Sequence, residues 1–175
     1  MRSAVNAAVL SLVIEQPSYG GEIGRRFEER YDGLLASRPQ HVYEALKQLR
    51  LQGLIEPITI EAEDGSSHDG YRATANGARA YRGWLRASVP LSKDAPLEIM
   101  IRIASTRPDD VATAEFLLDA YEQAVLATTS RRPVRSESII DRGVDEARRV
   151  VVGARLRWIR WMRDEMRIGT GEPER

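Results

Sequence analysis

From Ile140 to Trp161, the residues Ile140, Val144, Ala147, Val151, Ala154, Trp158 and Trp161 step alternately by four and three without an exception. An α-helix, turning about 100° per residue, gathers all seven into one stripe, a coiled-coil-like seam of about three heptads. Such a seam needs another helix against it, because an apolar stripe of that length is costly to leave in water. Ala147 and Ala154 let that helix approach closely, whereas Trp158 and Trp161 offer a large apolar end.

The chain before this seam reads as a series of shorter elements. Val5, Ala8, Val9, Leu12 and Val13 follow the spacing of an amphipathic first helix over residues 4–15, stopped by Gln16-Pro17-Ser18-Tyr19-Gly20-Gly21. A second helix is expected from about Gly21 to Tyr31, with Ile23 and Phe27 inward and Asp32-Gly33 at its end. The stretch RPQHVYEALKQLRLQGL, residues 38–54, is the third. Pro39 suits its first turn, Val42, Ala45, Leu46 and Leu49 form a buried stripe, and Gly53 stops it. Gln40, Tyr43, Glu44 and Lys47 fall on the other side, giving one packing face and one polar presenting face.

Alternation at Ile58 and Ile60, a break at Asp64-Gly65-Ser66-Ser67 and a resumption at Tyr71 predict a hairpin with a long polar tip. Thr74 can cap a fourth helix through about Ala87 that carries Ala78, Tyr81, Trp84 and Leu85. Residues 88–96, with two prolines, read as a linker. PLEIMIRIA, residues 96–104, is ambiguous: Ile99, Ile101 and Ile103 alternate like a strand, yet the run also suits a buried helix, which we take as the reading. Val111, Ala114, Leu118, Tyr121 and Val125 predict a further helix after Arg107-Pro108-Asp109-Asp110. The expected organisation is residues 1–87 as one domain, 88–96 as linker, 97–168 as a mainly helical domain and 169–175 as a tail.

Composition narrows the functions. The chain of 175 residues has no cysteine, which excludes thiol nucleophiles, disulfides and cysteine-ligated zinc and fits a reducing compartment. The first residues hold an apolar stretch of about ten, well short of the roughly 20 that span a membrane, and no small-residue cleavage site. We therefore expect a cytoplasmic protein with no membrane partner. The two histidines, His41 and His68, make a poor metal site, and no Gly-rich phosphate loop or converging acid, base and nucleophile is visible. No enzyme activity, metal or cofactor is expected. Charge is balanced at 26 basic and 26 acidic residues, with 11 of each up to Arg86 and 15 of each after it. A polyanionic partner would have to be held by a local patch.

Three helices, a hairpin and a fourth helix, in that order, make a winged helix-turn-helix, whose third helix can enter a DNA major groove. The fold class is thus mainly α (α+β), a winged helix-turn-helix domain with a small β-hairpin wing followed by helices. A groove-reading helix must bury one face and offer the other. Gln40 can pair with adenine, Glu44 accept from cytosine, and Arg38, Tyr43 or Lys47 hold phosphate.

The segments VLSLVIEQPSYGGEIGRRFEER, HVYEALKQLRLQGLI and GYRATANGARAYRGWL resemble, in order, spacing and residue type, the PadR family of bacterial transcription regulators. Pro17, Gly20, Glu22, Ile23, Tyr43, Leu46, Leu49, Gly53, Leu54, Ile55, Tyr71, Thr74 and Gly77 stand at the matching places, and the likeness covers roughly residues 4–84. It implies a homodimeric repressor, less often an activator, that reads the two half-sites of a palindromic operator in double-stranded DNA. In such proteins the C-terminal helices build the dimer, and some members bind a small aromatic effector near it. The resemblance puts Tyr43 at a phosphate-contacting position, with Arg38, Gln40, His41 and Lys47 around it; Glu44 is added from the helical spacing. Ile140, Val144, Ala147, Val151, Ala154, Trp158 and Trp161 become the dimer interface, with Trp158 and Trp161 also candidates for effector contact.

The wing departs from the family in being acidic, with Glu61, Glu63, Asp64 and Asp69, and acids beside phosphate weaken binding. Specificity is then expected to rest on the third helix and on dimerisation. Two other readings stay open on residues alone. The domain can be a winged-helix protein-interaction module presenting the Gln40/Glu44 face, or a small-molecule sensor built around the Trp-lined interface.

Overall fold

The structure is a computed structural model that describes residues 3–35, 39–61, 67–89, 94–129 and 138–169. Its elements run α1 (Ala4–Glu15), β1 (Ser18–Tyr19), α2 (Gly20–Tyr31), α3 (Pro39–Leu51), β2 (Ile55–Glu61), β3 (Ser67–Ala73), α4 (Ala75–Arg86), α5 (Ala95–Ser105), α6 (Val111–Thr129) and α7 (Ile139–Gly169). They divide into two compact units. One comprises Met1–Ser88 with Met100–Asp110, the other Val89–Ile99 with Val111–Arg175.

In the first unit, α1 is the central element. It packs against α2, α3, α4 and β3, and the whole run from Ala7 to Val13 is buried, Leu10 and Ser11 included. The amphipathic pattern expected of α1 is corrected by this arrangement: a helix surrounded on all sides has no solvent face to keep polar. Ser3 caps its start by accepting from the Asn6 amide. At its far end Arg26 donates to the Leu12 carbonyl and to Ser18 Oγ while pairing with Glu15, which ties α1, α2 and β1 together. Arg30 reaches the same carboxylate at 3.0 Å. Partial burial pushes the Glu15 carboxyl up, but the hydrogen bonds and charges of Arg30 and Arg26 outweigh it and hold the group below its ordinary range.

The sheet has the order β1-β3-β2, antiparallel throughout. β2 and β3 form the hairpin, in register from Ile55 opposite Ala73 to Glu61 opposite Ser67. Pro57 is tolerated because β2 is an edge strand with one side free of the ladder. The two residues of β1, Ser18 and Tyr19, pair with Tyr71 and Gly70 in a segment expected only to stop α1. Two residues carry no periodicity, so nothing in their pattern marks a strand.

α3 ends as the glycine requires. Gly53 has φ +67°, its amide donates to the Arg50 carbonyl, and the Leu54 amide donates back to the Leu49 carbonyl at 2.9 Å. Those two bonds define a Schellman cap, whose left-handed residue is best supplied by glycine. Thr74 caps α4, accepting from the Gly77 amide while its hydroxyl donates to the Gly53 carbonyl. The ambiguous run 96–104 is helical: α5 begins at Ala95, inside the expected linker, and the β-like alternation of its isoleucines proves to be chance spacing on a helix whose Ile99 and Ile101 are both buried.

A chain of hydroxyls crosses the interior of the first unit. Tyr31 Oη lies 2.9 Å from Ser11 Oγ and 2.8 Å from Ser105 Oγ. The two serines also reach the carbonyls of Ala8 and Ile101, each at 2.7 Å, and Tyr81 donates to the Ser105 carbonyl. Burial pushes the phenol of Tyr31 up and that of Tyr81 well up, so both stay protonated. Arg102 stacks over Trp84, 5.3 Å from the ring centre, and donates to the Ala87 carbonyl at the end of α4.

In the second unit, α6 and α7 pack together. Leu117, Leu118, Tyr121, Ala124 and Val125 of α6 are buried, as is Ile159 of α7. Tyr121 meets Trp158 edge to face at 5.6 Å, and Arg163 bridges Asp119 and Glu122 at 2.6 and 2.8 Å. Among the described residues no helix is long and apolar enough to cross a membrane.

Candidate nucleic-acid interface

α3 is held to the first unit by Val42, Ala45, Leu46 and Leu49, all buried. Gln40, His41, Tyr43, Glu44 and Lys47 are all exposed on the remaining surface. The two-faced helix inferred from spacing is present, and its polar face has an internal order. Gln40, Glu44 and Lys47 lie along its middle, Tyr43 lies on one edge, and His41 lies with Gln48 on the other. Arg38 lies outside the described residues. Glu44 is not idle, because its carboxylate accepts from Gln48 Nε2 at 3.1 Å. Arg50 belongs to this surface and was missed. It is exposed and stands three residues after Lys47 and seven after Tyr43, a helical spacing that places a cation on the Tyr43 edge.

Tyr43 is 57% exposed, yet its ring is seated. It rests on the first residue of α2: a β-carbon placed on Gly20 would lie 2.9 Å from Tyr43 Cε1. The next residue, Gly21, bears the ring of Tyr19 in the same way, at ordinary contact distance. Tyr19 in turn faces His68 of β3, ring centres 5.6 Å apart. Aromatic side chains thus link the start of α2 to both α3 and the wing.

On the hairpin, Glu61 and Asp69 are exposed, while Glu63 and Asp64 lie outside the described residues. Arg72 has a cross-strand partner, Glu56, at 2.7 Å, so a cation near the root of the wing is already engaged. Among the described residues no three His, Asp or Glu side chains gather as metal ligands would.

The seam on α7 is largely open in the single chain. Ile140 is 71% exposed, Val151 49% and Trp161 54%, with Val144, Ala147 and Ala154 exposed beside them. Trp158 differs: it is half-buried against Tyr121 of its own chain. A second stripe on α7, Val152, Leu156, Ile159 and Met162, is the one turned inward.

A winged helix with an exposed polar third helix is a class found among nucleic-acid-binding proteins. Residues 9–83 match the family model described as the transcriptional regulator PadR-like family, and through this segment the chain belongs to the PadR-like family of transcriptional regulators. Among solved structures it is similar to a transcriptional regulator from Clostridium thermocellum, at 31% identity over 45% of this chain and 73% of that one, with a TM-score of 0.38. Bacillus subtilis PadR in complex with operator DNA is 18% identical, over 95% of this chain and 99% of that one, with a TM-score of 0.47. The same protein in complex with p-coumaric acid gives 18%, 94% of each chain and a TM-score of 0.46. No protein of curated function matches the sequence.

Proposed function

We propose that this transcriptional regulator acts as a homodimeric, sequence-specific repressor that binds a palindromic operator through α3. The observation that carries the reading is the division of α3 itself, with four apolar side chains buried in the domain and Gln40, Tyr43, Glu44 and Lys47 left together at the surface. In this reading the first unit, Met1–Ser88 with Met100–Asp110, is the DNA-binding domain, and the second unit, which carries α6 and α7, is the dimerisation and effector domain. Gln40 reads a base edge and Lys47 a phosphate, with Arg50 beyond it and Tyr43 hydrogen-bonding the backbone. Glu44, already bonded to Gln48, sets the polarity of the groove-facing surface and disfavours bases that offer only acceptors. The open seam on α7 takes the same seam of a second copy, and Trp161 with Trp158 lines the place where a flat aromatic effector could stack.

The test is an anisotropy titration of the protein against promoter-proximal DNA of its own gene and a scrambled duplex, at two salt concentrations. A preference of about a thousandfold or more for the promoter duplex is expected of a specific regulator. No preference at either salt would overturn the proposal and favour a protein partner on the Gln40/Glu44 face.

A further inference from the structure

α2 begins Gly20-Gly21, which is a poor way to begin a helix, since glycine is the weakest helix former after proline and both serine and aspartate start helices better. Neither residue has a positive φ, so the backbone does not demand glycine. What demands it at residue 20 is the ring of Tyr43. A β-carbon there would lie 2.9 Å from Tyr43 Cε1, 3.6 Å from Cδ1 and 3.7 Å from Cζ. The first distance is shorter than two carbons tolerate, and relief requires the ring to swing outward, because Ala45 and Leu46 just after it anchor α3 in the core. By contrast, Gly24, one turn further along α2, has nothing within 4 Å of where a β-carbon would stand.

We infer that Gly20 is a positioning residue for DNA binding: its bare α-carbon is the seat that holds the Tyr43 ring at one angle and so fixes where the phenol hydroxyl meets the DNA backbone. The inference rests on the proposed role of Tyr43 as a backbone contact. A seated ring loses little freedom on binding, whereas an exposed tyrosine without a seat must give up its rotamers when it docks. Glycine at residue 20 thus acts through Tyr43, without touching DNA.

A double-mutant cycle tests it, with affinity for a fluorescein-labelled promoter-proximal duplex as the readout and thermal unfolding alongside. Tyr43→Phe is expected to weaken binding roughly tenfold, the loss of one hydrogen bond to a charged group. Gly20→Ala should weaken it by a similar factor with Tyr43 present, yet by less than about twofold in a Tyr43→Ala background. Gly24→Ala, the control in the same helix, should leave affinity unchanged and raise the unfolding temperature. Equal losses from Gly20→Ala with and without the Tyr43 ring would overturn the positioning role, as would no loss at all while Tyr43→Phe still binds weakly. Unaltered binding by Tyr43→Phe is a different failure: it removes the proposed backbone contact itself and, with it, any purpose for the seat.

Discussion

Tyr31, Ser11 and Ser105 share three hydroxyl protons among four contacts, two between hydroxyls and two to the carbonyls of Ala8 and Ile101. One contact therefore always lacks a proton, and removing the Tyr31 oxygen leaves both serines a carbonyl to donate to. Tyr31→Phe is accordingly expected to destabilise the fold by only about 1 kcal/mol, below the cost of a stranded buried donor; urea unfolding measures it, and a loss well above that would mean that the serines depend on the phenol. Glu15 is a different case, because Arg26 and Arg30 both converge on it. Its folded pKa lies below the ordinary value of 4.5, so its contribution is fully present above that pH and is lost as pH falls through the lower folded value. Glu15→Gln should cost about 1–2 kcal/mol at neutral pH, between the values for exposed and buried pairs, and almost nothing in strong acid. Unfolding curves at several pH values would show the two proteins converging as the pH drops. Neither arrangement was legible in the sequence: serine and tyrosine carry no periodic signal, and Glu15 and Arg30 look like ordinary surface charges until α1 and α2 are laid side by side.

At the scale of elements, what the sequence showed depended on how many faces a helix buries. α3 was legible because it buries one, and Val42, Ala45, Leu46 and Leu49 spell it out. α1 was misjudged because burial all round leaves no polar stripe to contrast with. α7 was half legible. Its seam was visible as a clean alternation, but Val152, Leu156, Ile159 and Met162 form a second stripe, and it is this one that faces inward. One long helix carrying two adjacent stripes has one for its own chain and one left over. That surplus yields a prediction. Val151 is 49% exposed, so Val151→Glu should leave the single chain folded, while a dimer built on the seam would have to bury an unpaired carboxylate. Sedimentation velocity should show dimer converting to monomer with helicity retained; an unchanged dimer would refute the seam as the interface. At the end of α3, Gly53→Ala forces a side chain into φ +67° and should cost about 1 kcal/mol in thermal or urea unfolding, because the left-handed cap is lost or strained.

For the molecule as a whole, charge is the governing fact. With 26 basic and 26 acidic residues there is no general attraction to a polyanion, and the wing, where Glu61 and Asp69 are exposed and Arg72 is paired, adds none. DNA binding must then rest on a few local contacts, which makes each of them visible in a salt titration. The measurement that tests this most directly is the salt dependence of affinity for wild type, Lys47→Ala and Gln40→Ala, each on promoter-proximal and scrambled duplexes. Lys47→Ala should weaken binding to both duplexes and lower the slope of log affinity against log salt by about one, the release of one phosphate's counterion. Gln40→Ala should keep the slope and lose preference for the promoter duplex. Equal, sequence-independent losses from both, with no change of slope, would contradict the assignment of α3 as the helix that reads DNA.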